Sequence, residues 1–472
     1  MGTATTYFTR FFLIFITSLF FGHAQNTNKS VALLEAKVDS LIETTMESEH
    51  IPGLAFIVIK DGKTLLKKGY GYTSLGEEIS AVNPDSTIFR IGSITKTFTA
   101  TALLQLADRK KIGLHTDVND YLTSFKVSSK YTKKAITSAH LLNHSAGFDE
   151  LRGRVVYTSE ETIPLASFLK ERIVPIREPG IISSYSSFGI ALAGLLVEDV
   201  SGLGLEQYLK ENIWDPLGMT MTSMWLTDEI EENVSWGYEY RNGINVPMPW
   251  EYYHTYPASE INSTVTDMGK YMQMHLNNGI YKGKRVLSEE MSKEMKTQQL
   301  TVHPEVEAFA YGFYEDDIHG FRTIAHGGDM LGYASYLTLV PEENLGVFVV
   351  HHHEGGRLRY NVSNTILEHF KKPQSDTISK PLKTKENLNR FAGHYMWSTY
   401  CHTCENSWRP DREELVVNDD NTFSIMGRTY YQVDPLLFKS SDGERTMGFV
   451  ENDKGEIVYM SLGSSNVFEK VD

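Results

Sequence analysis

Two hairpin patterns at opposite ends of the first 370 residues constrain the fold of this chain more than any other feature. Residues 54–59 and 64–66 are runs of apolar and β-branched residues on either side of the turn at Asp61-Gly62. Residues 333–340 and 345–350 are similar runs on either side of the turn at Pro341. Both patterns predict a β-hairpin. Helical patterns cover residues 31–46 and 361–370. Strands from both ends with helices between them predict an antiparallel sheet with helices packed on it.

A change of character after residue 370 indicates a second domain. Residues 371–387 are rich in Lys, Ser, Pro and Thr, which is typical of a linker. Residues 388–472 then carry short β-rich runs separated by turn signals such as Ser441-Asp442-Gly443, a pattern that predicts a small all-β barrel or sandwich. The predicted runs are 414–417, 422–426, 430–433, 446–450 and 457–461.

The first 24 residues have the pattern of a cleavable signal peptide. Arg10 precedes an apolar run over residues 11–21, and Gly22-His23-Ala24 places small residues at a cleavage site before Gln25. The run is short for a membrane span, although an uncleaved anchor is the alternative, and no cysteine follows it to carry a lipid. We therefore expect a periplasmic or secreted protein without stable membrane insertion after signal removal, in which residues 28–370 form the first domain.

Composition and charge narrow the classes of partner. Of the 472 residues, 41% are apolar and 22% charged, as in ordinary globular proteins, and the formal net charge is −15. A strongly negative chain is poorly suited to nucleic acid or to an anionic membrane surface. Composition does not determine the oligomeric state.

The stretch around Ser93 and Lys96 carries the first chemical signal. Residues three apart share a face of a helix, so the Lys96 ammonium group can reach the Ser93 hydroxyl. A serine needs a neighbouring base to become a nucleophile at neutral pH, and Ser-x-x-Lys is the nucleophile signature of serine β-lactamases and penicillin-binding proteins. The structural alternative is a serine that caps a core helix.

The spacing alone is a weak signal, because Ser167 and Lys170 repeat it within an ordinary amphipathic pattern. Ser93 differs in its context. Gly92 precedes it, a β-rich run over residues 86–91 leads into it, and a long apolar helical pattern follows.

Two later motifs add candidate partners. Tyr185-Ser186-Ser187 precedes an apolar helix, and a tyrosine whose pKa is lowered by a nearby lysine can act as a general base. His326-Gly327-Gly328 precedes the second hairpin, where glycines allow close approach of a substrate backbone. Taken singly, the tyrosine is also explained by packing at a helix start and the glycines by a turn.

In order and separation, these three motifs resemble those of the serine β-lactamase and penicillin-binding-protein superfamily. The chain is closest in look to class C β-lactamases and the D-aminopeptidases, D,D-carboxypeptidases and esterases related to them. The runs 114–118, 136–147 and 215–219 agree with this. The tail, which opens with Leu388-Asn389-Arg390-Phe391, resembles the lipocalin-like β-barrel often fused to such hydrolases.

The resemblance implies an α/β (α+β) fold, namely an antiparallel sheet flanked by helices with a helical lobe, and a site between them. It also implies that Ser93 forms an acyl-enzyme, that Lys96 maintains the proton network, and that Tyr185 serves as base and then as acid. The backbone N–H groups of Ser93 and Asp329 would form the oxyanion hole. No cofactor or metal is implied, and the partner is a small-molecule or peptide substrate.

Two departures from the family pattern affect the predicted function. Ser187 stands where many relatives have asparagine, and His326 stands where β-lactamases carry a permanently charged lysine; histidine is mostly neutral near pH 7. Together with Gly327, Gly328 and Asp329, these residues form the predicted substrate-binding set. We expect hydrolysis of a D-amino-acid peptide or small ester. The alternatives are a true β-lactamase or D,D-carboxypeptidase, and a catalytically silent binding protein of the same fold.

Two further groups allow more than one interpretation. Cys401 and Cys404 can form a local disulfide in an oxidising compartment, whereas a redox motif lacks its βαβ context and a zinc site lacks a second pair of ligands. His351-His352-His353 is either a polar strand end or a metal site.

Overall fold

The computed structural model describes residues 29–76, 79–128, 134–151, 153–371, 388–405 and 408–471. The predicted signal peptide and nearly all of the predicted linker lie outside these residues, so the proposed domain boundaries stay predictions. The helices are α1 (residues 29–48), α2 (Thr95–Asp108), α3 (Ser138–Leu142), α4 (Leu165–Arg172), α5 (Ser187–Ser201), α6 (Leu205–Leu209), α7 (Asp215–Leu217), α8 (Asp228–Glu231), α9 (Val265–Leu276), α10 (Glu289–Glu294) and α11 (Leu358–Phe370).

The strands fall into a first set that precedes α11 and a second set that follows it. The first set is β1 (Gly53–Lys60), β2 (Lys63–Gly71), β3 (Phe89–Arg90), β4 (Val155–Val156), β5 (Tyr238–Arg241), β6 (Ile244–Pro247), β7 (Tyr252–Tyr253), β8 (Asn262–Ser263), β9 (Ile280–Tyr281), β10 (Lys284–Arg285), β11 (Tyr314–Ile318), β12 (Phe321–Met330), β13 (Tyr333–Val340) and β14 (Leu345–His351). The second is β15 (Gly393–Trp397), β16 (Arg412–Val417), β17 (Phe423–Ile425), β18 (Arg428–Asp434), β19 (Leu437–Ser440), β20 (Thr446–Glu451), β21 (Ile457–Ser461) and β22 (Val467–Lys470).

Six of these strands form one antiparallel sheet in the order β11-β12-β13-β14-β1-β2. Both predicted hairpins are present, and the strands from the two ends of the domain meet where Leu54 pairs with His351. The prediction of an antiparallel sheet built from both ends is therefore confirmed.

The sheet is covered on both faces, as the alternation along β1 shows. Leu54, Phe56 and Val58 belong to a buried cluster that includes side chains of α1 and α11. Ala55, Ile57 and Ile59 belong to the larger cluster that contains α2, α5 and α9. Successive side chains of a strand point to opposite faces, so helices pack on both sides of the sheet.

The helix that follows Ser93 is the centre of the larger cluster. Side chains from Thr95 to Leu106 on α2 are buried, and α2 packs against α5. A helix enclosed on all sides is a rigid support for groups placed at its start, which is where the Ser-x-x-Lys residues lie.

The tail is a closed barrel of eight strands, β15 to β22, rather than a sandwich. Its interior is aromatic, with Phe391, Phe423, Phe438 and Phe449 in mutual contact. The five predicted runs all correspond to strands, whereas β15, β19 and β22 were not predicted.

Among the residues that the structure describes, no single helix has the length and apolar composition to cross a membrane. The segments Ser187–Ser201 and Leu205–Leu217 meet both conditions only when they are taken together across a bend of 77°.

Candidate active site

Ser93 lies in a tight turn between a short strand and α2. Gly92 has a φ of +55°, which a glycine adopts without strain, and a 3₁₀ turn over Gly92–Ile94 leads into the helix. The N-cap position of α2 belongs to Ile94 and has no side-chain capping bond. Helix capping therefore does not explain Ser93.

Lys96 is placed to act on Ser93. Its Nζ lies 3.0 Å from Ser93 Oγ and 3.0 Å from the carbonyl oxygen of Ala258, to which it donates a hydrogen bond. The side chain is fully buried. The predicted contact between Ser93 and Lys96 is thus present.

Burial changes the protonation of Lys96. Desolvation lowers the pKa of its amine to about 7, because the charged form loses its hydration; the negative charge of Glu150 opposes this shift and Arg154 adds to it. A substantial fraction of Lys96 is therefore neutral near pH 7, and a neutral amine can accept the Ser93 proton.

Tyr185 reaches the same serine from the other side. The Lys96 Nζ atom lies 4.9 Å from the centroid of the Tyr185 ring, and the side chain of Ser93 acts on the Tyr185 hydroxyl. Burial raises the pKa of Tyr185 well above its usual value, although the Ser93 side chain lowers it. The pKa is therefore not lowered as expected, and Tyr185 is a protonated phenol at neutral pH.

The His326-Gly327-Gly328-Asp329 segment lies on β12, against the nucleophile turn. A Cβ atom added at Gly328 would lie 2.0 Å from the carbonyl oxygen of Ile91, and one added at Gly92 would lie 3.1 Å from the backbone nitrogen of Asp329. The Asp329 amide is therefore close to the Ser93 turn, where an oxyanion hole requires it.

The Asp329 side chain faces a different partner. It forms an ion pair of 2.5 Å with Arg359, whose guanidinium group also donates to the carbonyl oxygen of Gly328 at 2.8 Å. Arg359 thus fixes the backbone of β12 at this point, and the contribution of Asp329 to the site is its amide.

His326 is buried and neutral. Its Nδ1 lies 2.7 Å from the carbonyl oxygen of Gly327, and its Nε2 has no hydrogen-bond partner among the residues that the structure describes. Desolvation, with a contribution from the charge of Lys96, lowers the pKa of His326 to about 3. This residue therefore supplies no cation at neutral pH, while its Nε2 can accept a hydrogen bond.

Ser187 is the first residue of α5. Its backbone N–H donates to Glu150 Oε2 at 3.0 Å, and the side chain of Ser186 caps the helix by accepting from the N–H of Gly189 at 3.2 Å. The substrate contact predicted for the Ser187 side chain stays a prediction.

Three groups of the site were not identified from the sequence. Glu150 holds the start of α5 and forms an ion pair with Arg154. His144 accepts a hydrogen bond from the N–H of Ser186 at 3.1 Å, and its ring centroid lies 4.6 Å from that of Tyr185. The third is the carbonyl group of Ala258. A backbone carbonyl or an isolated carboxylate is not marked by any sequence motif. His144 lies in the run 136–147, which indicates the resemblance to the family but not a role for this residue.

The remaining sequence candidates lie outside the site. Cys401 and Cys404 form a disulfide. His352 is hydrogen-bonded through Nδ1 to Trp236 and through Nε2 to Tyr72, and no group of three or more His, Cys, Asp or Glu side chains among the described residues could hold a metal ion. Ser167 and Lys170 are exposed on α4.

The sequence model of the family described as Beta-lactamase matches residues 38–366. Protein flp of Staphylococcus aureus (strain N315) is 26% identical over 328 residues, which cover 67% of this chain and 62% of the relative. Penicillin-binding protein 4 of Amycolatopsis lactamdurans is 28% identical over 305 residues, 62% of this chain and 78% of the relative. The chain therefore spans 62% of the length of the first of these relatives, which is less than two thirds.

A similar solved structure is that of the octameric penicillin-binding protein homologue from Pyrococcus abyssi. It covers 92% of this chain and 99% of its own, with a TM-score of 0.61 and 24% sequence identity. At 24% identity this similarity shows the fold alone, and because it covers 92% of the chain it includes the C-terminal barrel.

Proposed function

Because the chain belongs to the beta-lactamase family, we propose that it is an exported serine hydrolase that cleaves an amide or ester through an acyl-enzyme on Ser93. The observation that carries this proposal is the contact of 3.0 Å between Ser93 Oγ and a buried lysine whose pKa is lowered to about 7. A serine beside a partly neutral amine has the base that nucleophilic attack requires.

The same geometry supports an order of proton transfers. Ser93 Oγ attacks the substrate carbonyl and its proton passes to the Lys96 amine, while the N–H groups of Ser93 and Asp329 face the oxyanion. Tyr185, a protonated phenol, donates to the leaving group and regains a proton from Lys96. The leaving amine or alcohol departs, and water then hydrolyses the ester bond to Ser93.

The neutrality of His326 bears on the substrate. A β-lactam or a D,D-carboxypeptidase substrate presents a carboxylate, which a permanent cation binds through charge-assisted hydrogen bonds. His326 has a pKa of about 3 and offers an unpartnered acceptor instead. We favour a D-amino-acid peptide or small ester that presents an N–H or O–H donor, with β-lactam or D,D-carboxypeptide hydrolysis as the alternative.

Export is proposed from the N-terminal pattern of residues 1–24. The Cys401–Cys404 disulfide supports it, since such bonds persist in the periplasm and outside the cell but are rare in the cytosol.

The test is covalent labelling of the purified protein with a fluorophosphonate and, separately, with a fluorescent penicillin. Intact mass would be measured for the wild type, for Ser93→Ala, and for Ser167→Ala as a matched control on the second Ser-x-x-Lys. We expect the fluorophosphonate to label wild type and Ser167→Ala but not Ser93→Ala, and the penicillin to react more slowly.

Three outcomes would change the proposal. Labelling of Ser93→Ala at the wild-type rate would remove Ser93 as the nucleophile. Rapid reaction with the penicillin would favour the β-lactamase or D,D-carboxypeptidase alternative. Absence of labelling by both reagents would favour a silent binding protein of the same fold.

A further inference from the structure

One loop of the barrel lies against the domain that carries Ser93. It follows β15, and we call residues 398–404 the disulfide loop because Cys401 and Cys404 are bonded within it. Ser398 is 1% exposed and Cys401 is 5% exposed. The first part of this loop is therefore buried, whereas Thr403 is exposed.

The disulfide loop encloses the carboxylate of Asp149. The backbone N–H of His402 donates to Oδ1 at 2.8 Å, and the backbone N–H and the hydroxyl of Thr403 donate to Oδ2 at 3.0 and 2.6 Å. Burial alone raises the pKa of Asp149, but the His402 side chain, 3.4 Å away, and these hydrogen bonds outweigh it and hold the pKa at about 2. Asp149 is thus an anion at neutral pH, bound by donors of the other domain.

The next residue along the chain faces the catalytic site. Glu150 accepts the N–H of Ser187 at 3.0 Å, two residues after Tyr185, and its negative charge raises the pKa of Lys96 against the effect of burial. Two adjacent carboxylates therefore have different partners: Asp149 binds the barrel, and Glu150 binds the start of α5 and acts electrostatically on Lys96.

A second contact reaches the residue directly before Tyr185. The Ser184 hydroxyl donates to the carbonyl oxygen of Ser398 at 3.1 Å, and Arg177 lies 3.1 Å from His402 Nε2. The disulfide loop thus holds two segments that adjoin site residues, at Asp149 and at Ser184.

We propose that Asp149 is a positioning residue for the hydrolase site and that the Cys401–Cys404 disulfide maintains the loop geometry that holds it. The bonded loop directs two consecutive amides at one carboxylate, the carboxylate fixes the peptide that carries Glu150, and Glu150 fixes the start of α5 next to Tyr185. This inference rests on the proposed serine hydrolase function and gives the barrel a part in it.

The disulfide makes this arrangement sensitive to a dithiol reductant. The reductant supplies two electrons, the bond between the two sulfur atoms breaks, each sulfur takes up a proton to form a thiol, and the reagent closes its own disulfide. The freed loop loses the constraint that directs its amides at Asp149. Misplacement of a catalytic group by about 1 Å can slow a reaction by roughly two orders of magnitude, so even partial loosening should be measurable.

The first test removes one donor without removing a catalytic group. In Thr403→Val the hydroxyl bonded to Asp149 is lost at nearly constant shape, and in Thr403→Ser it is kept. Thr422→Val, at a turn of the barrel where the hydroxyl bonds Asp420, is the matched control. We would measure the rate of fluorophosphonate labelling, kcat and KM for p-nitrophenyl acetate, and Tm.

We expect Thr403→Val to lower the labelling rate and kcat by about tenfold with KM near the wild-type value and with a reduced Tm that stays above the assay temperature, and Thr403→Ser and Thr422→Val to retain activity. Unchanged rates in Thr403→Val would overturn the inference. So would a loss of activity that follows a fall in Tm into the assay range, because that indicates a structural role alone.

The second test addresses the disulfide. Dithiothreitol should slow labelling of the wild type to the rate of a Cys401→Ser/Cys404→Ser double variant, and should have no effect on that variant. Equal rates for wild type and double variant would overturn the part assigned to the disulfide. Failure of the untreated wild type to label would instead remove the proposed function, and this inference with it.

Discussion

Lys96 combines full burial with a position 3.0 Å from the Ser93 hydroxyl, where the proposed mechanism has it accept a proton. A lysine kept charged by a close carboxylate would remain an ammonium ion at pH 7, whereas here Nζ contacts the Ser93 hydroxyl and the Ala258 carbonyl oxygen, neither of which is a carboxylate. Glu150 acts on it from farther away, and burial dominates. The lysine is therefore suited to accept a proton near neutral pH.

This predicts a pH profile for acylation. Because the neutral amine is the active form and its pKa is about 7, the rate of fluorophosphonate labelling should rise as the pH passes through about 7 and reach a plateau above it. His326, with a pKa of about 3, does not titrate in this range. Labelling at pH 5 to 9 measures the profile.

Lys96→Arg tests the same role, because a guanidinium group stays protonated throughout this range. We expect a loss of about a hundredfold or more at every pH, with Lys170→Arg as the control on the second Ser-x-x-Lys. A flat profile for the wild type, or an active Lys96→Arg variant, would contradict the assignment.

At His326, a change of charge should change the choice of substrate. His326→Lys introduces a group that can bind a carboxylate, and hydrogen bonds to charged groups contribute about 1.5–3 kcal/mol. We expect labelling by fluorescent penicillin to rise by about tenfold relative to p-nitrophenyl acetate hydrolysis. The added charge would also lower the pKa of Lys96 further.

The matched variant is His326→Gln, which stays neutral and should show no gain with penicillin. If both variants leave the ratio of the two activities unchanged, His326 does not contribute to discrimination against carboxylates.

The part of the site that could be predicted from the sequence is the part whose residues lie close together in the chain. Ser93 and Lys96 meet within one helical turn, so their contact follows from the spacing once Gly92 and the apolar helix that follows distinguish them from Ser167 and Lys170. The Glu150 contact to Ser187 joins segments 37 positions apart, and the Lys96 contact to Ala258 joins segments 162 positions apart. Contacts between such distant segments depend on how α2, α5 and the sheet pack together. A local sequence pattern does not indicate this packing.

At the scale of elements, the junction of β12 with the Ser93 turn leaves no room for a side chain. The nearest atoms to an added Cβ at Gly328 are the Ile91 carbonyl oxygen at 2.0 Å and Ser335 Oγ at 2.4 Å. The Ser335 hydroxyl itself donates to that carbonyl at 2.9 Å. The strand β12 and the turn before Ser93 are thus in direct contact, with no space for a side chain between them.

Gly328→Ala should therefore separate β12 from the turn. Overpacking typically costs about 1–3 kcal/mol, and the displaced Asp329 amide would no longer face the oxyanion. We expect a lower Tm and almost complete loss of labelling. Gly204→Ala, where an added Cβ meets nothing within 4 Å, is the control, and an active Gly328→Ala would contradict this account.

The fold was predictable where apolar and β-branched runs are bounded by turn residues such as Gly, Pro, Asn and Asp. Both hairpins of the sheet and five barrel strands meet those conditions. The unpredicted strands β19 and β22 have four residues each, too few for a clear period, and β15 is marked only by its pairing with β16 and β22. Closure of the barrel supplies partners that the local sequence does not indicate.

At the scale of the whole molecule, an anion of one domain bound by donors of the other should respond to acid. The folded-state pKa of Asp149 is about 2 and its ordinary value is 3.8. A depressed pKa contributes stability that is complete above the ordinary value and is lost as the pH falls through the folded value. The difference in Tm between wild type and Asp149→Asn should therefore shrink from pH 4 to pH 2.

The comparison is made by thermal unfolding at each pH, with Asp420→Asn, an exposed residue of the barrel, as the control. A difference in Tm that stays constant over this range would show that the charge of Asp149 does not stabilise the interface.

The pairing of β1 with β14 also has a consequence for the order of events during synthesis. β1 can pair with β14 only after roughly 300 further residues have been made, which at about 5–20 residues per second takes on the order of 15–60 s. Contacts between such distant segments form slowly. The emerging chain therefore lacks its central sheet until most of the domain has been translated, and a polypeptide in that state can still be threaded through a secretion channel, as the proposed export requires.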